Sequence, residues 1–470
     1  MLGWCDVVFS GIPFLFYFLP VVLIVYFAVP KFLKNAVLLL SSLFFYAWGE
    51  PRYVILMILS VVVNYILGIL IEKTRKTSMA KVLLAVSAVF SLGLLGYFKY
   101  ADFFIENFSK ITGLSLKTLN IALPIGISFY TFQILSYTID VYRGNVAAQK
   151  SLIKLGTYIS LFPQLIAGPI VRYSDIEKQL THRTHSFEKA ADGIKRFIIG
   201  LSKKVLLANT LGEMCNVFYE TDEKSVLFYW LFAVGYMLQV YLDFSGYSDM
   251  AIGLGKIFGF EFMENFRYPF ISKSISEFWR RWHISLGSWF RDYVYIPMGG
   301  NRVNKPRFML NIFTVWFLTG FWHGAEWNFV IWGLYFAVFL LIEKFFLKDT
   351  IERMKGLNHI YVLFFVLISF VIFSASGLKE SLAMVGGLFG AGGIPAISPT
   401  FLYTLKNYGF TVLIAIVSAT PLLTKLRHSV NKKADAVLEF IEIPVLVILL
   451  LVVAGYLADG TFNPFLYFRF

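Results

Sequence analysis

The chain has 470 residues, of which 58% are apolar and only 15% are charged, and it carries 50 Phe, 26 Tyr and 10 Trp. A soluble domain needs about a quarter of its residues charged, so the shortfall excludes an ordinary soluble fold and makes lipid the main solvent. Two cysteines, Cys5 and Cys215, exclude a disulfide framework or a Cys-based zinc site. No Walker loop or dinucleotide fingerprint is present, which argues against nucleotide-driven transport. The net charge of +13 would suggest nucleic acid in a soluble protein, but in a membrane protein positive charge orients loops at the cytoplasmic face, and no nucleic-acid partner is expected.

Apolar stretches fall at 13–30, 36–48, 53–71, 82–98, 121–139, 152–171, 193–208, 225–242, 308–325, 327–342, 359–376, 408–424 and 441–458. Continuous apolar runs satisfy their backbone groups internally only as helices, and the alternating pattern of barrel strands is absent. The first run has Asp6 and no basic residue before it, unlike a cleaved signal peptide, so it is expected to stay as an anchor. Lys31, Lys34, Lys73, Arg75, Lys76 and Lys81 mark two connections as cytoplasmic, which places the N-terminus outside.

Strict alternation would then put 172–204 outside, although it holds eight basic residues against four acids. One segment must fail to cross. Pro163, Gly168 and Pro169 interrupt 152–171, a break tolerated at membrane depth only where protein or a wet cavity covers the freed backbone; this segment is read as re-entrant. The acidic loop 209–224 then lies outside, the basic loop 256–307 inside, and the tail after 458 outside. The expected architecture is all-α and polytopic, about 12 transmembrane helices plus a re-entrant hairpin. It forms a single membrane domain over 1–470 that ends in a short extracytoplasmic aromatic tail, 459–470. Both cysteines fall on the outer side, where two unrelated thiols are expected rather than a bridge.

His323 lies in an apolar run, 308–325, with no other ionisable side chain. An intramembrane ionisable residue is a functional hypothesis by default, and the alternative is a neutral imidazole bonding a backbone carbonyl. Gly320 and Gly324 flank it and allow another backbone or a substrate to come close. His283 sits in SEFWRRWHISLGSWFRDYVYIPMGGNR (276–302). Its Trp279, Trp282, Trp289 and Phe290 fit a helix at the lipid boundary, while Arg280, Arg281 and Arg291 suit the phosphates of a cytoplasmic donor or serve as anchors. Asp243 and Asp249 lack the closing Glu of a calcium loop; helix capping and pairing with an Arg are expected of them. His182, His185, His359 and His428 are assigned no chemistry.

The stretches LPIGISFYTFQ (123–133), LFPQLIAGPI (161–170), YLDFSGYSDMAIGLG (241–255), ENFRYPFIS (264–272), the 276–302 block and GFWHGAEWNFVIWG (320–333) resemble the membrane-bound O-acyltransferase family. The likeness runs in order from about residue 8 to 345; beyond 350 only hydrophobic character matches. The resemblance implies acyl transfer from a cytoplasmic thioester to a hydroxyl. It makes His323 the catalytic residue and His283 a second active-site residue, with acetyl-coenzyme A as donor substrate, no cofactor and no metal. An extracytoplasmic esterase-like partner and an exported polysaccharide acceptor at a bacterial cytoplasmic membrane follow from the same resemblance. Teichoic acid, peptidoglycan or lipid remain as alternative acceptors, and a polysaccharide transporter as an alternative class. The last residues, FLYFRF (465–470), resemble the terminal motif of cell-envelope acylation systems in which a tyrosine relays the acyl group, which would make Tyr467 the relay; an aromatic anchor is the other reading.

Overall fold

The computed structural model describes residues 9–166 and 168–459, without the side chains of His428, Lys432 and Lys433. Among the described residues the chain is helical and contains no strand. Eight of its helices are long and apolar enough to cross a membrane, the shorter helix Pro13–Ala28 adding to them, so the expected run of about twelve spans resolves into long helices plus shorter and broken ones. The chain divides into two compact units, Met1–Phe197 with Met250–Met263, and Ile198–Asp249 with Glu264–Phe470.

In the first unit, polar side chains inside apolar helices bond to one another, as they must where no water is available. Ser87 donates to Asn64 Oδ1 at 2.7 Å and lies 3.1 Å from the Thr138 hydroxyl, joining helices Val54–Thr74, Ser78–Leu95 and Ile127–Arg143. The segment expected to be re-entrant is broken into helices Leu152–Ser160 and Phe162–Leu165. At about 1.5 Å per residue neither can cross a bilayer. The backbone freed at the break is covered by protein: Phe162 N–H donates to Ser42 Oγ at 3.1 Å, and Gln164 Nε2 donates to the Tyr158 carbonyl at 2.8 Å. His185, given no chemistry, meets the Tyr26 hydroxyl at 3.0 Å.

In the second unit, helices Lys305–His323 and Trp327–Ile342 cross at two glycines. A Cβ on Gly320 would strike the carbonyl of Phe329, and one on Gly333 would strike the carbonyl of Trp316. Close approach at Gly320 therefore serves a neighbouring backbone, and at Gly324 it serves the Phe329 ring. Gly246 plays the same part in helix Val226–Ile257, where a Cβ would stand 2.7 Å from the Gly200 carbonyl.

Two sequence expectations are corrected here. Asp243 and Asp249 lie inside the 32-residue helix Val226–Ile257, not at a cap. Their partners are lysines rather than arginines: Lys204 Nζ stands 2.7 Å from Asp243 Oδ1, and Lys203 Nζ 2.7 Å from Asp249 Oδ2. The aromatic residues around His283 also do not form a lipid-boundary belt. Trp282, Trp289 and Phe290 are buried, because two seven-residue helices, Ile275–Arg281 and Ile284–Phe290, turn them inward. Cys215 is a buried free thiol; Cys5 and the tail from residue 460, Tyr467 included, lie outside the described residues.

The crossing makes a stability prediction. Gly333→Val should cost about 1–3 kcal/mol through overpacking, read as a lower unfolding temperature in detergent, whereas Gly455→Val, with open space around it, should change little.

Candidate active site

All the groups of this site belong to the second unit. His323 ends helix Lys305–His323 and is 6% exposed. Its ring is enclosed by Trp322, Trp332 and Phe373 at centroid distances of 5.0, 5.1 and 5.5 Å, each nearly perpendicular to it. Trp322 also faces His283 at 6.0 Å, so one indole packs against both histidines that the sequence singled out.

His283 is 1% exposed and occupies the junction between the two short helices. Its backbone has φ 44° and ψ 53°, a left-handed conformation uncommon outside glycine. Asn265, to which the sequence assigned no role, holds the ring. Asn265 Oδ1 accepts from the Ser285 N–H at 3.2 Å and from the Ser285 hydroxyl at 2.9 Å, and Nδ2 donates to Ser248 at 3.2 Å. A backbone amide can only donate, which fixes that Asn atom as oxygen. His283 Nδ1, 3.2 Å from the same oxygen, therefore carries the proton, and in the neutral ring Nε2 is the lone-pair nitrogen. Burial, and after it the second imidazole, pull the His283 pKa well below 6.5, so the ring is neutral at physiological pH.

The three arginines part company. Arg281 is held by Glu277, Nε to Oε1 at 2.9 Å, and donates to the Arg267 carbonyl at 3.0 Å. Arg291 pairs with Asp292 at 2.7 Å but remains largely exposed. Arg280 lines two cavities. One is a basin of about 920 Å³ with Lys273, Lys344, Lys348, Lys355 and His359 in its wall. The other, about 520 Å³, contains His283, Arg291 and Trp279. Trp279 in turn lines a third cavity of about 30 Å³ with His323, Trp332, Phe336, Phe370, Phe373 and Asp243. Shared walls thus link a cationic basin, by way of Arg280 and Trp279, to His323. Lys204 and Asp243, with side chains 2% and 4% exposed, keep the charge in that last wall paired.

Glu343 is a second residue that sequence reasoning missed. It extends from the end of helix Trp327–Ile342 and accepts from the Ile275 N–H at 2.5 Å, the Ser276 N–H at 2.9 Å and the Ser276 hydroxyl at 2.8 Å. A carboxylate at a helix N-terminus is favoured by the helix dipole, and here it pins the helix that carries Trp279 and Arg280. Its position right after an uncharged run was the available signal.

The sequence model of the MBOAT, membrane-bound O-acyltransferase, family matches residues 145–385, a span that includes both histidines and all three arginines. A probable alginate O-acetylase AlgI of Azotobacter vinelandii is 38% identical over 98% of this chain and 100% of its own length. That of Pseudomonas aeruginosa is 42% identical over 82% of this chain and 75% of its own. A peptidoglycan O-acetyltransferase of Helicobacter pylori is 31% identical over 97% and 96%.

The environment of His283 makes a pH prediction. Its folded pKa is depressed, so the unfolded chain binds the extra proton and folding stability falls as pH drops below about 6.5. The unfolding temperature should decline between pH 7 and pH 5, and His283→Asn should flatten that decline.

Proposed function

Because the chain belongs to the membrane-bound O-acyltransferase family, we propose that this multi-pass membrane enzyme transfers an acetyl group from acetyl-coenzyme A to an exported polysaccharide, with His323 as general base. The observation that carries this reading is the pair of enclosed imidazoles that both pack against Trp322, in two cavities whose walls share Trp279, one of which shares Arg280 with a cationic basin. A neutral imidazole in that cavity takes the proton of an attacking hydroxyl. The hydroxyl oxygen then bonds to the thioester carbonyl carbon, the carbon–sulfur bond breaks, and the imidazolium returns its proton to the departing thiolate. His283, held with Nδ1–H toward Asn265, offers Nε2 as an acceptor that orients the incoming hydroxyl. The cavity beside His323, about 30 Å³ with aromatic walls, suits a short acyl group such as acetyl.

The donor phosphates rest on Arg280 and the lysines of the basin, since guanidinium and ammonium groups bind phosphate well. Arg291 flanks the pantetheine path, and Arg281 supports the helix through Glu277. In this reading the loop 256–307 faces the cytoplasm of a bacterial cell, both termini face outward, and Tyr467 relays the acetyl group to an extracytoplasmic esterase-like partner. The need is geometric: the thioester is cytosolic, the acceptor is outside, and an aryl ester leaves more readily than an alkyl ester. The Helicobacter pylori relative supports a second reading with peptidoglycan as acceptor. Loss of ester-linked acetate from one purified polymer in a deletion strain separates the two.

His323→Ala should insert and purify normally yet neither consume thioester nor transfer acetyl; near-normal turnover would end the base assignment. Arg280→Gln should raise the donor KM more than it lowers kcat, and Arg281→Gln should raise it less; an unchanged donor KM in Arg280→Gln removes the basin from the donor path. With donor and no acceptor, peptide mass analysis should find one acetyl on 459–470, absent in Tyr467→Phe and in His323→Ala. Full polymer acetylation by Tyr467→Phe would reduce the tail to an anchor.

A further inference from the structure

Two tryptophans in the wall of the cavity beside His323 carry hydrogen-bond donors that meet no acceptor among the described residues. The indole Nε1 atoms of Trp332 and Trp279 are buried and have no acceptor among the described residues. Both rings line the His323 cavity, with Trp332 5.1 Å from His323 and 5.6 Å from Trp279 between centroids. Trp332 is 4% exposed, so bulk water does not relieve it. Buried donors in folded proteins nearly always find a partner, and this fold satisfies an indole elsewhere: Trp230 Nε1 donates to the Leu388 carbonyl at 3.0 Å. Leaving two donors unmet in one cavity wall is unfavourable for the resting protein, and an acceptor arriving with substrate would relieve it.

The chemistry of indole narrows what that acceptor is. An indole nitrogen donates and cannot accept, and it is neither an acid nor a base at physiological pH. It can take no part in the proton transfers assigned to His323, but it is suited to stabilise negative charge on oxygen. We propose that Trp332 Nε1–H, together with Trp279 Nε1–H, forms the oxyanion hole of acyl transfer in this enzyme. This rests on the reading of His323 as base. When the acceptor oxygen bonds to the carbonyl carbon, the carbonyl π pair moves onto oxygen and the acceptor proton passes to His323. The two indole N–H groups hold the resulting oxyanion. Its collapse restores the carbonyl, breaks the carbon–sulfur bond and returns the proton from His323 to the thiolate. Donors fixed in place before the charge develops need no reorganisation and act strongly in an apolar enclosure. Asp243 in the same wall does not oppose them, because Lys204 stands 2.7 Å from its carboxylate.

The test removes the N–H and keeps the ring. Trp332→Phe, and replacement of Trp332 by β-(3-benzothienyl)alanine, which has the shape of tryptophan with sulfur in place of N–H, should each lower kcat by about 100-fold with the donor KM changed by less than about twofold. Trp279→Phe should lower kcat in the same sense, and Trp230→Phe, outside the cavity, should not. Wild-type kcat in the benzothienyl variant overturns the proposal, and that variant decides the matter if Trp332→Phe fails to insert. A rise in donor KM at constant kcat also overturns it, since it would make Trp332 a ground-state contact. His323→Ala assayed alongside keeps the two readings apart. An inactive His323→Ala with fully active indole variants removes only the oxyanion hole, whereas an active His323→Ala removes the base and leaves the indole result to stand on its own.

Discussion

The backbone contact at Gly320 and Gly333 sets the scale on which the rest of the site is built. Helix Lys305–His323 ends at His323, and helix Trp327–Ile342 begins four residues later. Only two facing glycines allow these helices to touch main chain to main chain. Because they do, Trp332, one residue before Gly333, falls 5.1 Å from the His323 ring, and Glu343 beyond the far end of the same helix reaches the N-terminus of Ile275–Arg281. One side chain at the crossing would part the imidazole from its aromatic wall and loosen the carboxylate that anchors Trp279 and Arg280.

A second constraint follows from the solvent. In an apolar interior each polar group must close its own bonds, and the site does so unevenly. Asn265 meets Ser248, Ser285 and His283, and Lys204 meets Asp243. A buried pair of this kind adds little net stability, since desolvation offsets the attraction, so its place in the cavity wall with His323 is better explained by electrostatics at the site than by folding. The two indoles are the contrast within this cavity wall, each with its Nε1–H buried and without an acceptor among the described residues.

What was legible in the sequence divides along the same physical line. Charge-free runs announce helices because the backbone in lipid has no other solution, and His323 stood out as the one ionisable side chain in its run. The Pro163 and Gly168 break was readable because neither residue suits a continuous helix. Spatial partners were not readable. Asn265 lies 18 residues from His283, with helix Ile275–Arg281 between them, a separation that no single helical or strand periodicity connects. The lysines facing Asp243 and Asp249 come from the preceding helix, and composition gives charge without register. The aromatics at 282–290 were read as a boundary belt because composition tells which solvent surrounds the chain but not which side of a short helix faces it. The pairing of Arg281 with Glu277 was recoverable, being an i,i+4 contact of the kind helices favour.

The cavity sizes bear on why a relay belongs in the proposed mechanism. The space beside His323 is about 30 Å³, which holds a few heavy atoms, whereas the basin that Arg280 borders is about 920 Å³. A donor can therefore leave its large anionic part in the basin and extend only its acyl end toward the imidazole. A polysaccharide has no comparably slender end, since a hydroxyl along the polymer belongs to a sugar that is linked on both sides into the chain and brings that bulk with it. A phenol on a chain terminus is different: one hydroxyl at the tip of a flat ring needs a narrow opening, and aromatic walls bury that ring favourably. In the proposed mechanism the narrowness that suits a short acyl group also disfavours direct attack by polymer, which is the physical reason for proposing two steps, first to a tyrosine and then outside to the sugar.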